Sequence, residues 1–237
     1  KLSTFTFIFL IIYFYWSYNK LIMDKFKSIA IISVVTLFVF VTFIVSSNSK
    51  NHNPQEMNFD QIAIEQQGNL DLDGQATIDI VFNTTEGEIH AELYPDLVPE
   101  TVKNFVELAQ EDKYNGVLFH RVIKNFMVQT GDFENFNGTG GHSYKGEGTT
   151  IDEEFHPDLK HVYGALSMAK TAMPSTTGSQ FFIVQNQQGT PHLDNGHSVF
   201  GMVKKGMDVV EKIASAKIGP MDNPLEDIKI LDVKISK

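Results

Sequence analysis

Residues 119–132 read F-H-R-V-I-K-N-F-M-V-Q-T-G-D. Short apolar runs flank Lys124-Asn125, a dipeptide that suits a turn. Taken alone, the pattern predicts two strands and a turn, with Arg121 a surface charge and Phe126 and Met127 packing residues. Residues 164–183 (G-A-L-S-M-A-K-T-A-M-P-S-T-T-G-S-Q-F-F-I) and 193–201 (L-D-N-G-H-S-V-F-G) each have the same core-plus-turn reading in isolation.

Upstream, Ile78, Ile80 and Phe82 alternate with polar residues, and after Thr84-Thr85-Glu86-Gly87 so do Ile89, Ala91 and Leu93. This predicts two strands joined by a glycine-containing turn. Pro99 opens a helix with Val102, Phe105, Val106 and Ala109 on one stripe, and Asn115-Gly116 breaks it. Residues 117–122 are strand-like, and residues 131–161, rich in Gly, Asp, Glu and Thr, predict long loops. Residues 201–203 end a strand. Met207, Val210, Ile213 and Ala214 mark a second helix. In the last strand, residues 228–235, the alternation slips between Ile230 and Leu231, which predicts a bulge. Many short strands with only two helices favour a mainly β fold, an antiparallel barrel closed by helices. There is no βαβ alternation and no GxGxxG.

The first third differs in character. Residues 5–16 are almost continuously apolar and aromatic but too short to span a bilayer comfortably. Residues 29–45 follow Lys25 and Lys27 and reach the lower limit for a spanning helix, about 17–25 residues. Two export readings stand: a retained single-pass anchor in the cell membrane, or a secretory signal cleaved after small residues. Either puts the lysines inside and the C-terminal domain outside the cytoplasm. A buried helix of a soluble domain is the bland alternative. Met23, ahead of D-K-F-K, resembles a protein start, so residues 1–22 read as an upstream extension and 23–46 as the signal-anchor. Residues 47–75, rich in Asn, Gln and Ser, read as a polar linker with a reach of roughly 30 Å. Residues 76–237 form the folded domain.

With no cysteine, the chain has no disulfide staple, thiol nucleophile or Cys-ligated metal. The net charge of -10 argues against nucleic acid as the main partner. There is no H-E-x-x-H, His156 and His161 flank an acidic loop without metal-site spacing, and Ser179 lacks a G-x-S-x-G frame. No metal or other cofactor is expected.

Together the three stretches resemble the cyclophilin family of peptidyl-prolyl cis-trans isomerases. F-H-R, F-M-x-Q-x-G-D, N-G-T-G-G (residues 137–141), S-M-A, G-S-Q-F-F-I and L-D with H-x-V-F-G occur in order, covering roughly residues 77–237. The resemblance implies a closed eight-stranded antiparallel barrel capped by two helices, with its groove on the outside. Residue by residue it implies a catalytic set of Arg121, Phe126 and Gln129. It implies contacts to substrate from His120, Met127, Ala169, Gln180, Phe182, Leu193, His197 and Phe200, His120 also supporting the site beside Arg121. Phe126, Met127, Phe182 and Leu193 would form a slot for the proline ring with Phe200 at its floor, while Gln129 and Gln180 would hold substrate backbone and orient Arg121.

Lys124-Asn125 replaces the Pro-Gly of many members. The segment between Ala169 and Pro174 is one residue longer than the eukaryotic pattern and looks bacterial, so only Ala169 is carried over there. His192 stands where cyclosporin-sensitive members have tryptophan, which argues against strong cyclosporin binding. The implied activity is prolyl isomerisation in exported, proline-containing polypeptides, assisting their folding. The alternative is a proline-binding chaperone module using the same groove without catalysis. Nothing demands more than a monomer.

Overall fold

The computed structural model describes residues 58–67 and 75–236. The apolar runs at 5–16 and 29–45 lie outside the described residues, and with them the expected extension and anchor. Among the described residues no helix is long and apolar enough to cross a membrane.

Eight strands form one antiparallel sheet: β1 (Ile78–Thr84), β2 (Gly87–Leu93), β3 (Arg121–Ile123), β4 (Met127–Thr130), β5 (Ala165–Met168), β6 (Phe181–Val184), β7 (Val199–Lys205) and β8 (Ile230–Ile235). Their spatial order is β3-β4-β6-β5-β7-β2-β1-β8. In β1 and β2 every second side chain is buried, as the alternation predicts. Central strands β5 and β6 are buried on both faces, which is why they read as unbroken apolar runs. The slip in β8 is a bulge: Thr84 pairs with Ile230 and Asn83 with Asp232, leaving Leu231 unpaired and half-exposed.

The expected closure of the barrel needs correcting. The sheet is an open half-barrel with β3 and β8 as its edges. Three backbone hydrogen bonds around the Leu118–Lys229 pair, Gly116 N to Ile230 O (2.7 Å), Ile230 N to Val117 O (2.9 Å) and Phe119 N to Ile228 O (2.9 Å), join the segment ahead of β3 to the start of β8 without extending into β3 itself. β3 is only three residues long, and the 3₁₀ turn Pro220–Asp222 packs against it where a closing strand would have to lie.

Two helices fall where the pattern places them, α2 (Pro99–Gln110) and α3 (Met207–Ala214). Phe105 of α2 is fully buried among Phe82, Tyr114, Phe181 and Phe200, with ring centroids 5.0–5.9 Å away. Such burial is worth roughly 2–3 kcal/mol per ring. Neither helix has a side-chain cap of its own. Glu154, from the long loop, instead accepts hydrogen bonds from the first amides of α2, Glu100 N at 3.2 Å and Thr101 N at 2.7 Å. Its negative charge also suits the helix N-terminus.

The stretch read as a linker contains a further helix, α1 (Phe59–Gln67), with Ala63 fully buried. Asp60 of α1 accepts a 2.7 Å hydrogen bond from Met207 N and so caps α3, whose preceding residue is Gly206. Its short, mixed sequence gives little amphipathic signal, and a nine-residue helix depends on such docking.

Candidate active site

β3 and β4 pair so that Arg121 faces Gln129 and Ile123 faces Met127, and β4 pairs Gln129 with Phe182 of β6. This register brings Arg121, Gln129 and Phe182 abreast on three neighbouring strands. The turn between β3 and β4 holds Asn125 at φ +59°, a left-handed conformation that asparagine tolerates. Behind it, Gln185 N donates to Phe126 O (2.9 Å) and Asn125 N donates to Gln185 Oε1 (2.6 Å). Glu211 of α3 then accepts Gln185 Nε2 at 2.7 Å. The turn carrying Phe126 is thereby anchored to a helix.

The outcome is a cavity of about 190 Å³ lined by Arg121, Phe126, Met127, Gln129, Ala169, Lys170, Phe182, Leu193 and His197. Eight of these nine residues belong to the expected set, Lys170 being the addition. His192 stacks on Phe126 with centroids 5.9 Å apart, so it extends the aromatic wall in its own way. His197 Nδ1 lies 3.0 Å from Met168 O, an arrangement that makes Nδ1 the donor and leaves Nε2 without a proton. Its ring meets Phe182 edge-on at 5.6 Å, and burial lowers its pKa.

A second cavity of about 240 Å³ shares Gln129, Ala169 and Lys170 with the first and continues past Gly138–Gly141, Thr171, Thr176 and Gln180. Gln180 belongs here rather than in the notch. Its Nε2 donates to Gly138 O (3.0 Å) and Gly140 O (2.8 Å), and its Oε1 accepts from Gln129 Nε2 (2.9 Å). That chain fixes which way the Gln129 amide points and leaves its oxygen free to accept.

The loop supplying those carbonyls is organised by Asp132, which is fully buried. Its carboxylate accepts from the backbone N–H groups of Glu134, Asn135, Asn137, Gly138 and Gly140 at 2.8–3.1 Å. Burial alone would raise this carboxyl, but the backbone donors outweigh it and hold it below the ordinary value. Gly138 sits at φ +91°, and a Cβ there would meet His120 Cδ2 at 2.9 Å, so a side chain is excluded on both counts.

Two expected contacts need correcting. Phe200 is fully buried in the aromatic core with Phe105 and Phe181, and it is not the floor of the slot. The β7 alternation that puts it there was hidden because that strand is apolar on both faces. His120 lies behind Gly138, nearly inaccessible, with neither ring nitrogen hydrogen-bonded; burial lowers its pKa. It shapes the site from underneath.

Other participants were missed. Arg121 is paired with Asp222, Nε to Oδ2 3.6 Å, not with a glutamine. Lys170 pairs with Glu153 at 3.4 Å, and Glu153 also accepts from Ser175 N, tying down the longer loop after Ala169. His161 is buried between Asp194 (2.8 Å) and Ser167 (2.9 Å) and stacks on Phe182 at 6.0 Å. Burial lowers its pKa against the opposing pull of Asp194. This Ser-His-Asp chain cannot serve as a hydrolytic triad, because Ser167 is sealed from solvent. It holds the Leu193 turn and Phe182 in place.

Comparison with known proteins agrees with this geometry. Residues 77–235 match the family model "Cyclophilin type peptidyl-prolyl cis-trans isomerase/CLD". A putative peptidyl-prolyl cis-trans isomerase of Staphylococcus saprophyticus is 42% identical over 193 residues, 70% of this chain and 95% of that protein. Peptidyl-prolyl cis-trans isomerase-like 1 of Aspergillus fumigatus is 46% identical over 158 residues, 66% of this chain and 94% of its own length. Among solved structures, a cyclophilin type peptidyl-prolyl cis-trans isomerase of Cryptosporidium parvum superposes with TM-score 0.64 at 31% identity, covering 68% of this chain and 99% of that one. The same protein, solved in the presence of the dipeptide Ala-Pro, gives a TM-score of 0.63 at 32% identity, with 67% and 99% covered. The chain belongs to the cyclophilin family. Its activity is peptidyl-prolyl cis-trans isomerisation.

Proposed function

We propose that Arg121 drives rotation of X–Pro bonds held in the notch of Phe126, Met127, Phe182 and Leu193, in polypeptides that have been exported. The observation that carries this reading is one cavity uniting a guanidinium with those four apolar residues and Gln129. The Ala-Pro dipeptide in the Cryptosporidium relative's crystals supports a proline substrate here.

The chemistry follows from the amide. The barrier to rotation is about 20 kcal/mol because the nitrogen lone pair is delocalised into the carbonyl. Twisting localises that pair on nitrogen, which then becomes an acceptor. A guanidinium aimed at it gains a hydrogen bond chiefly in the transition state and so lowers the barrier instead of merely binding substrate. Arginine stays charged at any working pH. Phe126, Met127, Phe182 and Leu193 grip the ring, while the free Gln129 oxygen accepts from substrate backbone. One side of the bond is held while the other turns. A thousandfold acceleration needs only about 4 kcal/mol.

A protease-coupled assay with a proline tetrapeptide tests the assignment. Arg121→Ala should lower kcat/KM about a hundredfold with an unchanged melting curve, since Arg121 is 44% exposed. Phe126→Ala should mainly weaken binding. Equal rates for Arg121→Ala and wild type would defeat the catalytic role. Protection of an aggregating client by the Arg121→Ala protein but not by Phe126→Ala would favour a binding chaperone.

Export rests on residues 29–45, an apolar run behind Lys25 and Lys27. In this reading the domain is held at the outer face of the cell membrane, or released after cleavage, and assists folding of clients there. Cell fractionation with N-terminal sequencing of the mature protein distinguishes anchor from cleaved signal; recovery in the cytosol would end both.

A further inference from the structure

We infer that the hairpin spanning residues 217–225 is a second, apolar contact surface for the client polypeptide, continuing the groove beyond Arg121. This rests on the isomerase groove described above. Three of the seven large apolar side chains most exposed among the described residues stand on it: Ile218 at 46%, Met221 at 86% and Leu225 at 66%. Isolated exposed apolar residues are ordinary, but a cluster on one short hairpin beside a working site is not.

The hairpin is built to display them. Leu225 N donates to Lys217 O (2.8 Å), Gly219 N to Asn223 O (2.7 Å), and Ile218 bridges Pro224. Pro220 and Pro224 stiffen it. At its tip Met221 and Asp222 both adopt left-handed backbone, φ +59° and +62°. Neither residue is glycine, so both side chains are held in a backbone conformation that L-residues rarely adopt. That conformation points the thioether at solvent and turns the Asp222 carboxylate back onto Arg121.

Position makes the surface part of the groove. β3 has β4 and the notch on one side and the 3₁₀ turn of this hairpin on the other. In the proposed arrangement a client whose proline lies in the notch and which passes over Arg121 toward Asp222 in extended form would reach the exposed Met221 and Leu225 of this hairpin. Charge argues against an anionic membrane as the occupant: Asp222, Glu226 and Asp227 outnumber Lys217 and Lys229 along residues 217–229. A flexible methionine with a leucine suits varied apolar side chains.

The test uses the full chain, an Ala-Pro tetrapeptide, and peptides lengthened on either side by about four residues, a reach of roughly 13 Å. The added residues are either Leu and Phe or Ser. In the wild type the Leu/Phe extension on one side should raise kcat/KM about tenfold over the tetrapeptide, largely through KM, as expected for partial burial of two apolar side chains. In Met221→Ser/Leu225→Ser that ratio should fall to about one, with thermal melting confirming the fold. A ratio unaltered by the substitutions overturns the inference, as does an equal loss on the tetrapeptide. If the substitutions instead weaken binding to phosphatidylglycerol vesicles, or abolish a dimer seen by light scattering, the occupant is lipid or a second copy and the inference fails. Failure of the wild type on the tetrapeptide itself would reject the isomerase site and not merely this extension.

Discussion

The notch around Phe126 is walled by side chains, four of them (Arg121, Met127, Gln129 and Phe182) on three neighbouring strands, whereas the chamber beside it owes much of its wall to glycine backbone and loops. The two meet at Gln129, Ala169 and Lys170. In the notch, strand register alone sets Arg121, Gln129 and Phe182 abreast. In the chamber, shape depends on a buried carboxylate that gathers five backbone amides and on a glutamine that ties the resulting loop to β4. Apolar recognition here is built from packing and polar recognition from a hydrogen-bond chain. The two halves should therefore fail in different ways.

The largest expected effect is on the chamber. Asp132→Ala leaves five amides without their acceptor and should lower stability by about 3 kcal/mol or more, read by chemical denaturation. Asp132→Asn, which keeps one acceptor oxygen, should lose about half of that. If both variants unfold like the wild type, the loop does not depend on the carboxylate, and the contrast between the two regions is broken.

Gln180→Ala cuts the chain between Gln129 and the glycine carbonyls. It should reduce kcat/KM about tenfold at a stability cost of about 1 kcal/mol, measured by tetrapeptide kinetics and thermal melting. A loss confined to KM would mean that Gln129 holds ground state and transition state equally and adds nothing to the rotation step itself.

Acid should act first on the buried histidines, His161 and His197 at the notch and His120 beneath Gly138, and only later on Asp132. Burial lowers the pKa of His120, His161 and His197, so each is held neutral in the folded protein while the unfolded chain protonates near the usual 6.5. Below that value the unfolded state binds more protons, and stability falls with pH until the folded-state values are passed. The Asp132 carboxyl is held below its ordinary value, so its contribution stays intact above the usual carboxylate range and is lost only as pH falls through and below that range. Melting temperatures recorded from pH 7.5 to 5 should decline, and His161→Gln should flatten the decline. A flat wild-type profile would contradict this ordering.

The smallest effect belongs to Asp222. Its pair with Arg121 is half-exposed on both sides, so it is worth at most about 1 kcal/mol. Asp222→Asn frees the guanidinium and should raise kcat/KM no more than about threefold, with the difference vanishing at high salt. A loss of activity would instead make Asp222 an orienting partner of Arg121.

The notch was more legible in sequence than the chamber for a physical reason. Apolar residues at strand spacing announce which faces meet, and the order of F-H-R, F-M-x-Q and G-S-Q-F-F-I carries the register with it. Phe200 shows the limit: where both faces of β7 are buried, alternation no longer tells groove from core. Asp132 stood in the sequence only as the last residue of F-M-x-Q-x-G-D, and nothing local announced the five backbone amides its carboxylate gathers. Helix α1 was missed because its burial depends on a surface assembled from residues far along the chain.

By itself the sequence determined the strand faces, helices α2 and α3, the Leu231 bulge, and the set of residue types able to hold a proline and stabilise a twisted amide. These are local patterns, set by side-chain period and backbone sterics within a few residues. Only the tertiary structure decided that the sheet stays open at β3, that Glu154 and Asp60 cap helices they do not belong to, and that Arg121 rests against Asp222. Those are polar contacts across 53 to 147 residues of chain. A hydrogen bond or ion pair depends on angles and distances that no periodicity in the sequence encodes.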